Sequence, residues 1–219
     1  MKTQLLFTIV AVLFSIAFND PYTEAMKKGI ELLNSAGDQN SFLSASNHFA
    51  RIAERENKEW LPAYYAGYSM TIAAAMEAEG SKKDDMLDAA KLFLDKAAKL
   101  EHTVSELLAV EGFIDMLRIG VDPATRGPEY SAKSSAALQK AKAMDPNNPR
   151  VQYLLAQLNF GTAQFFGSDG SEACRINDGA LDLFDQEAAD NSRNSLEPTW
   201  GQNMAQEFKS RCEGMSRGQ

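Results

Sequence analysis

Residues 134–156 read Ser-Ser-Ala-Ala-Leu-Gln-Lys-Ala-Lys-Ala-Met-Asp-Pro-Asn-Asn-Pro-Arg-Val-Gln-Tyr-Leu-Leu-Ala, and this stretch decides the fold. Ser134, Leu138 and Ala141 stand at offsets of four and three, which puts them on one helical face, with the small residues allowing a neighbouring backbone to come close. Asp145-Pro146-Asn147-Asn148-Pro149 then ends that helix and opens another, since Pro is accepted at a helix entrance and resisted in its interior. Leu154-Leu155-Ala156 follows on the new helix. The stretch therefore joins the second helix of one hairpin to the first helix of the next.

Both halves recur along the chain. Ala90, Leu94 and Ala97 carry the first set 44 residues earlier, and Ala45, Phe49 and Ile52 carry it another 45 earlier. Leu107-Leu108-Ala109 and Tyr64-Tyr65-Ala66 precede Leu154-Leu155-Ala156 at spacings of 47 and 43. Self-similarity at one mean period marks a repeat architecture. Ala, Leu, Lys and Glu dominate, and Val is confined to Val104, Val110, Val121 and Val151 after the first segment, which favours helix over strand. The spacing predicts helices over 22–36, 41–57, 61–79, 83–100, 104–120, 128–144, 149–165, 171–189 and 200–213. These make an all-α stack of four hairpins, 22–57, 61–100, 104–144 and 149–189, closed by a C-terminal capping helix over 200–213. Stacking is required because one hairpin cannot cover its own apolar face.

The small–large–small spacing, the aromatic or Leu pair before a small residue, and the Pro after the hairpin resemble the tetratricopeptide repeat (TPR) family over roughly residues 22–190. That resemblance implies a right-handed α-solenoid. The chain departs from the family in length, because TPR units run to about 34 residues and only the first hairpin is that compact. Asn177 also falls at a core position of the fourth. Taken with Glu59-Trp60-Leu61-Pro62, Phe165-Phe166-Gly167 and Pro198-Thr199-Trp200-Gly201, the whole chain looks like a group of small exported bacterial TPR-like proteins, a resemblance that carries no catalytic residue with it.

The chain begins with an address. Lys2 precedes an apolar run over 5–18, too short for the roughly 20 residues of a spanning helix, and Ser15-Ile16-Ala17 offers small residues for signal cleavage after Ala17. Residues 1–17 are read as a signal peptide and 18–219 as one domain, periplasmic or secreted, with no stable membrane insertion after cleavage. The full chain has 22 basic against 30 acidic residues, a net charge of −8, which argues against nucleic acid as a partner. Two Cys and two His, at spacings that fit no zinc module, predict no metal site. In an oxidising compartment an even pair of thiols is expected to bridge. Cys174 near the start of the eighth helix and Cys212 near the end of the ninth meet if those helices run antiparallel, with two free thiols as the alternative.

No catalytic constellation and no cofactor motif emerges. His48 neighbours core-facing Phe49, and His102 stands at the mouth of the fifth helix; neither has partners at catalytic spacing. Asp84-Asp85 and the pair Glu77 and Glu79 read as a solvated face, and Tyr64, Tyr65 and Tyr68 read as packing between helices, with an aromatic sugar platform as the other reading. The expanded segments 79–85, 120–130 and 165–171 are expected to line one rim. Asp122, Arg126, Tyr130, Phe165 and Phe166 are the candidate binding residues there. The expected function is a non-enzymatic binding or adaptor protein for a protein or peptide partner. The alternative is a small-molecule or glycan-binding component of an envelope uptake system, and glycan-dependent thermal stabilisation without a protein partner separates the two.

Overall fold

Caps and prolines set where each helix starts. Asp20 accepts from the Tyr22 and Thr23 amides, Asn148 from Arg150 and Val151, and Pro occupies the first turn in both helices. The computed structural model describes residues 20–101 and 104–217, so the segment 1–17 expected as a signal peptide and His102 lie outside the described residues. Nine helices are present among the described residues, with no strand: α1 (Pro21–Asn34), α2 (Gln39–Arg55), α3 (Leu61–Ala75), α4 (Gly80–Ala98), α5 (Ser105–Ile119), α6 (Pro123–Met144), α7 (Pro149–Phe166), α8 (Ser171–Ala189) and α9 (Gln202–Arg217). They form hairpins α1–α2, α3–α4, α5–α6 and α7–α8, each packed on the next, and α9 closes the stack against α8. The first helices α3, α5 and α7 also touch in succession, giving the stack an inner row.

The repeating residues are the core. Ala45, Phe49, Ala90, Leu94, Ala97, Ser134, Leu138 and Ala141 are all buried. The close approach of paired helices is visible at two glycines, where an added Cβ would meet a leucine: Gly67 against Leu94 at 2.9 Å and Gly112 against Leu138 at 2.7 Å. Ser134 fits the small position because its Oγ donates to the Gly112 carbonyl at 2.8 Å, and Ser46 does the same to Ala66 at 2.9 Å. Asn177, an unpromising core residue, is buried with its Nδ2 donating to the Ala205 carbonyl at 2.9 Å, which ties α8 to α9.

Two segments differ from expectation. Helix α6 starts at Pro123 rather than 128, because Asp122 caps it by accepting from the Thr125 amide, so Pro128 lies inside the helix. Helix α4 starts at Gly80, so most of the segments expected as rim loops at 79–85 and 120–130 are extra helical turns. The bridge between Cys174 and Cys212 is formed, with Cα atoms 5.8 Å apart, and fastens α9 to the start of α8.

Candidate functional site

Two features at opposite ends of the hairpins compete as a site. At the end where α3, α5 and α7 begin, Tyr64, Glu106 and Arg150 stand in the first turns of three successive first helices. Tyr64 Oη donates to Glu106 Oε2 at 3.0 Å, and Arg150 Nε donates to Glu106 Oε1 at 2.7 Å. Arg150 is only 2% exposed and also grips Glu187 through both terminal nitrogens. Asn148 adds bonds to Ser105 and Glu106. Burial opposes the Arg150 charge, but the Glu106 and Glu187 carboxylates outweigh it and hold the guanidinium above its usual range. The connector 190–201 packs on this end, beside a cleft of about 340 Å³ lined by Glu106, Arg150, Glu187 and Arg193: Trp200 Nε1 donates to Tyr64 Oη at 2.7 Å, its ring stacks on Tyr68 at 4.4 Å, and Tyr65 Oη donates to the Leu196 carbonyl. Tyr64, Tyr65 and Tyr68 are thus core. Every charge here is spent on a neighbour in the chain, so this end is a clasp that holds the hairpins together.

The other end is open. The last turns of α5 and α7 and the first turns of α6 surround a groove of about 510 Å³, within the range of small-molecule sites. Met116 and Ile119 form its α5 wall, Pro123, Gly127 and Pro128 its α6 wall, and Leu158, Gly161 and Phe165 its α7 wall. Among the described residues no charged side chain lines it. Gly167, at φ 71°, ends α7 in the left-handed region that favours glycine. This stop leaves Phe165 and Phe166 on the final turn, 66% and 75% exposed, with their rings edge to face at the lip.

Glycines keep the groove clear. Gly161 on α7 and Gly127 on α6 both line it, and an added Cβ at either would meet nothing within 4 Å. Glycine inside a helix costs roughly 0.8–1.0 kcal/mol against Ala, and here no close backbone contact calls for it. Pro128 acts in the same wall: lacking an N–H, it cannot bond the Ala124 carbonyl one turn back.

The candidate residues divide between structural and exposed positions. Phe165 and Phe166 line the groove. Asp122 is the α6 cap, and bonds from Thr125 hold its carboxyl below the usual range. Arg126 donates to both oxygens of Asp84 at 2.9 and 2.8 Å, while Arg118 and Lys133 lie over the Tyr130 ring. These three belong to an ionic seam between α4, α5 and α6. The segments around 120–130 and 165–171 do converge, but through Pro123, Gly127, Pro128 and the two phenylalanines rather than through charge. In the same seam, desolvation and then the Glu111 carboxylate push Asp115 up to about 6. His48 Nε2 lies 3.0 Å from the Ala25 carbonyl between α1 and α2 and does not line the groove. Among the described residues no cluster of three or more His, Cys, Asp or Glu is arranged for a metal ion, and no helix is long and apolar enough to cross a membrane.

A hairpin stack clasped at one end and open at the other into an uncharged, aromatic-lipped groove has the geometry of a ligand-binding protein. No family model and no curated protein matches the chain. Among solved structures, the HusA haemophore from Porphyromonas gingivalis is similar, with a TM-score of 0.77 and 28% identity, covering 88% of this chain and 93% of that one.

Proposed function

We propose that this chain is a non-enzymatic, extracytoplasmic binding protein that captures a flat, apolar ligand of the porphyrin class, haem being the first candidate, in the groove between α5, α6 and α7. The observation that carries this reading is the groove itself: uncharged, about 510 Å³, cleared by two mid-helix glycines and lipped by two exposed phenylalanines. The similarity to a haemophore over 88% of the chain supports a small-molecule cargo over the protein or peptide partner expected first. The stack of TPR-like hairpins serves here as a scaffold for one end groove. The address read in residues 1–17 and the disulfide both suit a protein working outside the cytoplasm.

The lining decides how haem would be held. Among the described residues it contains no His, Cys or Tyr, and Met116 supplies a thioether as the one side chain there with affinity for iron. Burial of the porphyrin faces then supplies most of the binding, and iron contributes little. The test is titration of the purified protein with haemin and with metal-free protoporphyrin IX, followed by absorbance. Affinities within about fivefold of each other support the reading, since a tenfold difference corresponds to about 1.4 kcal/mol. Binding of haemin alone, with a spectrum showing nitrogen ligation, refutes it.

A further inference from the structure

The groove contains one unspent hydrogen-bond donor. Three polar side chains line it: Ser131, Gln157 and Thr162. The Thr162 hydroxyl donates to the Leu158 carbonyl at 2.8 Å, and the Ser131 hydroxyl donates to the Pro128 carbonyl at 3.4 Å. Gln157 Nε2 is sealed from water and has no partner. A buried amide without a partner is costly, so a surface that keeps one in an otherwise apolar wall has reason to use it. Gln157 also lies one turn before Gly161 on α7, and both residues line the groove.

From this we infer that Gln157 is the specificity-determining residue of the groove: its Nε2 donates to a carboxylate oxygen carried by the flat apolar ligand. The inference rests on the proposed binding reading and deepens it from an apolar cargo to an apolar cargo bearing an acid. The torsion of a terminal amide is broad, so Nε2 turns toward a ligand oxygen while the stem of the side chain stays in place. A carboxylate is the strongest acceptor for such a donor, and no acidic side chain lines the groove to repel it. One ligand acid therefore points inward to Gln157, and the ring lies against the apolar walls.

The experiment compares protoporphyrin IX, which carries two carboxylates, with etioporphyrin I, which has the same ring and only alkyl groups. Both are titrated against wild type, Gln157→Leu and Gln157→Glu. Wild type is expected to bind protoporphyrin roughly tenfold more tightly than etioporphyrin, the range of a hydrogen bond to a charged group. Gln157→Leu should erase that preference by weakening protoporphyrin binding relative to etioporphyrin binding, and raise the melting temperature of the ligand-free protein by about 2–4 °C, because a buried orphan donor is gone. Gln157→Glu keeps the length of the side chain and should lower protoporphyrin binding further still, and lower it more than etioporphyrin binding. Equal wild-type affinities, or a variant that weakens both ligands alike, overturn the role of Gln157 while leaving the groove as the site. Failure of wild type to bind either ring overturns both the groove reading and this inference.

Discussion

Gly161→Leu separates folding from binding in one substitution. The position lies inside α7, is exposed, and has nothing within 4 Å of an added Cβ, so the side chain enters open groove without touching the core. Replacing a mid-helix glycine by leucine recovers about 0.6–1.0 kcal/mol of helix propensity. For a chain of this size, that is a rise in melting temperature of about 2–4 °C. The same side chain stands where the ligand should lie. If it keeps the ligand off roughly 60–100 Å² of wall, the loss at about 25 cal/mol per Å² is about 1.5–2.5 kcal/mol, or roughly 10- to 60-fold in affinity. Thermal melting of the free protein and haemin titration, run on the same preparations, should show a more stable protein that binds less. Gly67→Ala is the counterpart, because its Cβ would meet Leu94 at 2.9 Å and the Ala90 carbonyl at 3.1 Å; it should destabilise by about 1–3 kcal/mol. Were Gly161→Leu to lose stability along with binding, the glycine would be structural. Gain of stability with unchanged affinity would remove the groove as the site.

Arg150→Met leaves the buried Glu106 without its cation, while Glu187 keeps Arg193 at 2.9 Å, and should cost about 3–5 kcal/mol in a denaturant titration; a loss under about 1 kcal/mol would show that the clasp holds little. Replacing Cys174 and Cys212 by Ala opens a link spanning 38 residues and should cost about 3–4 kcal/mol, with amide exchange rising first in α9; uniform loosening across all hairpins would contradict the local role. Asp115 has a carboxyl pKa raised to about 6, so the folded state holds its proton more tightly than the unfolded chain, and stability falls as pH rises from about 4 through 6. Asp115→Asn should flatten that fall and stabilise at pH 7 by about 1 kcal/mol once solvent screening at this half-exposed position is allowed for. An unchanged pH profile of melting would assign the slope to other groups.

The hairpins were legible because their core repeats. Small residues at 45, 90 and 134 and large ones at 49, 94 and 138 are where helices meet, and that geometry imposes the same residue types at each turn of the stack. The spacing starts the sixth helix at 128, whereas Asp122 caps it and Pro123 occupies its first turn five residues earlier. The clasp has no signature in the sequence, because Tyr64, Glu106 and Arg150 are unlike polar types at non-equivalent repeat positions and form a set only through their bonds. Phe165 and Phe166 stood out as aromatic residues beside a glycine turn. Gly127, Gly161 and Gln157 gave no such sign, because a groove is made by what is left out of a helix face. In the fold, neither glycine faces a side chain that a Cβ would meet, unlike Gly67 against Leu94 and Gly112 against Leu138.

Amide hydrogen exchange with and without haemin tests the location of the site most directly. Protection should concentrate at the end of α5 near Met116 and Ile119, the start of α6 over 123–131, and the end of α7 over 157–166, with the clasp around Glu106, Arg150 and Glu187 unchanged. Protection centred on the clasp, with none at the α7 end, would contradict the groove as the binding site.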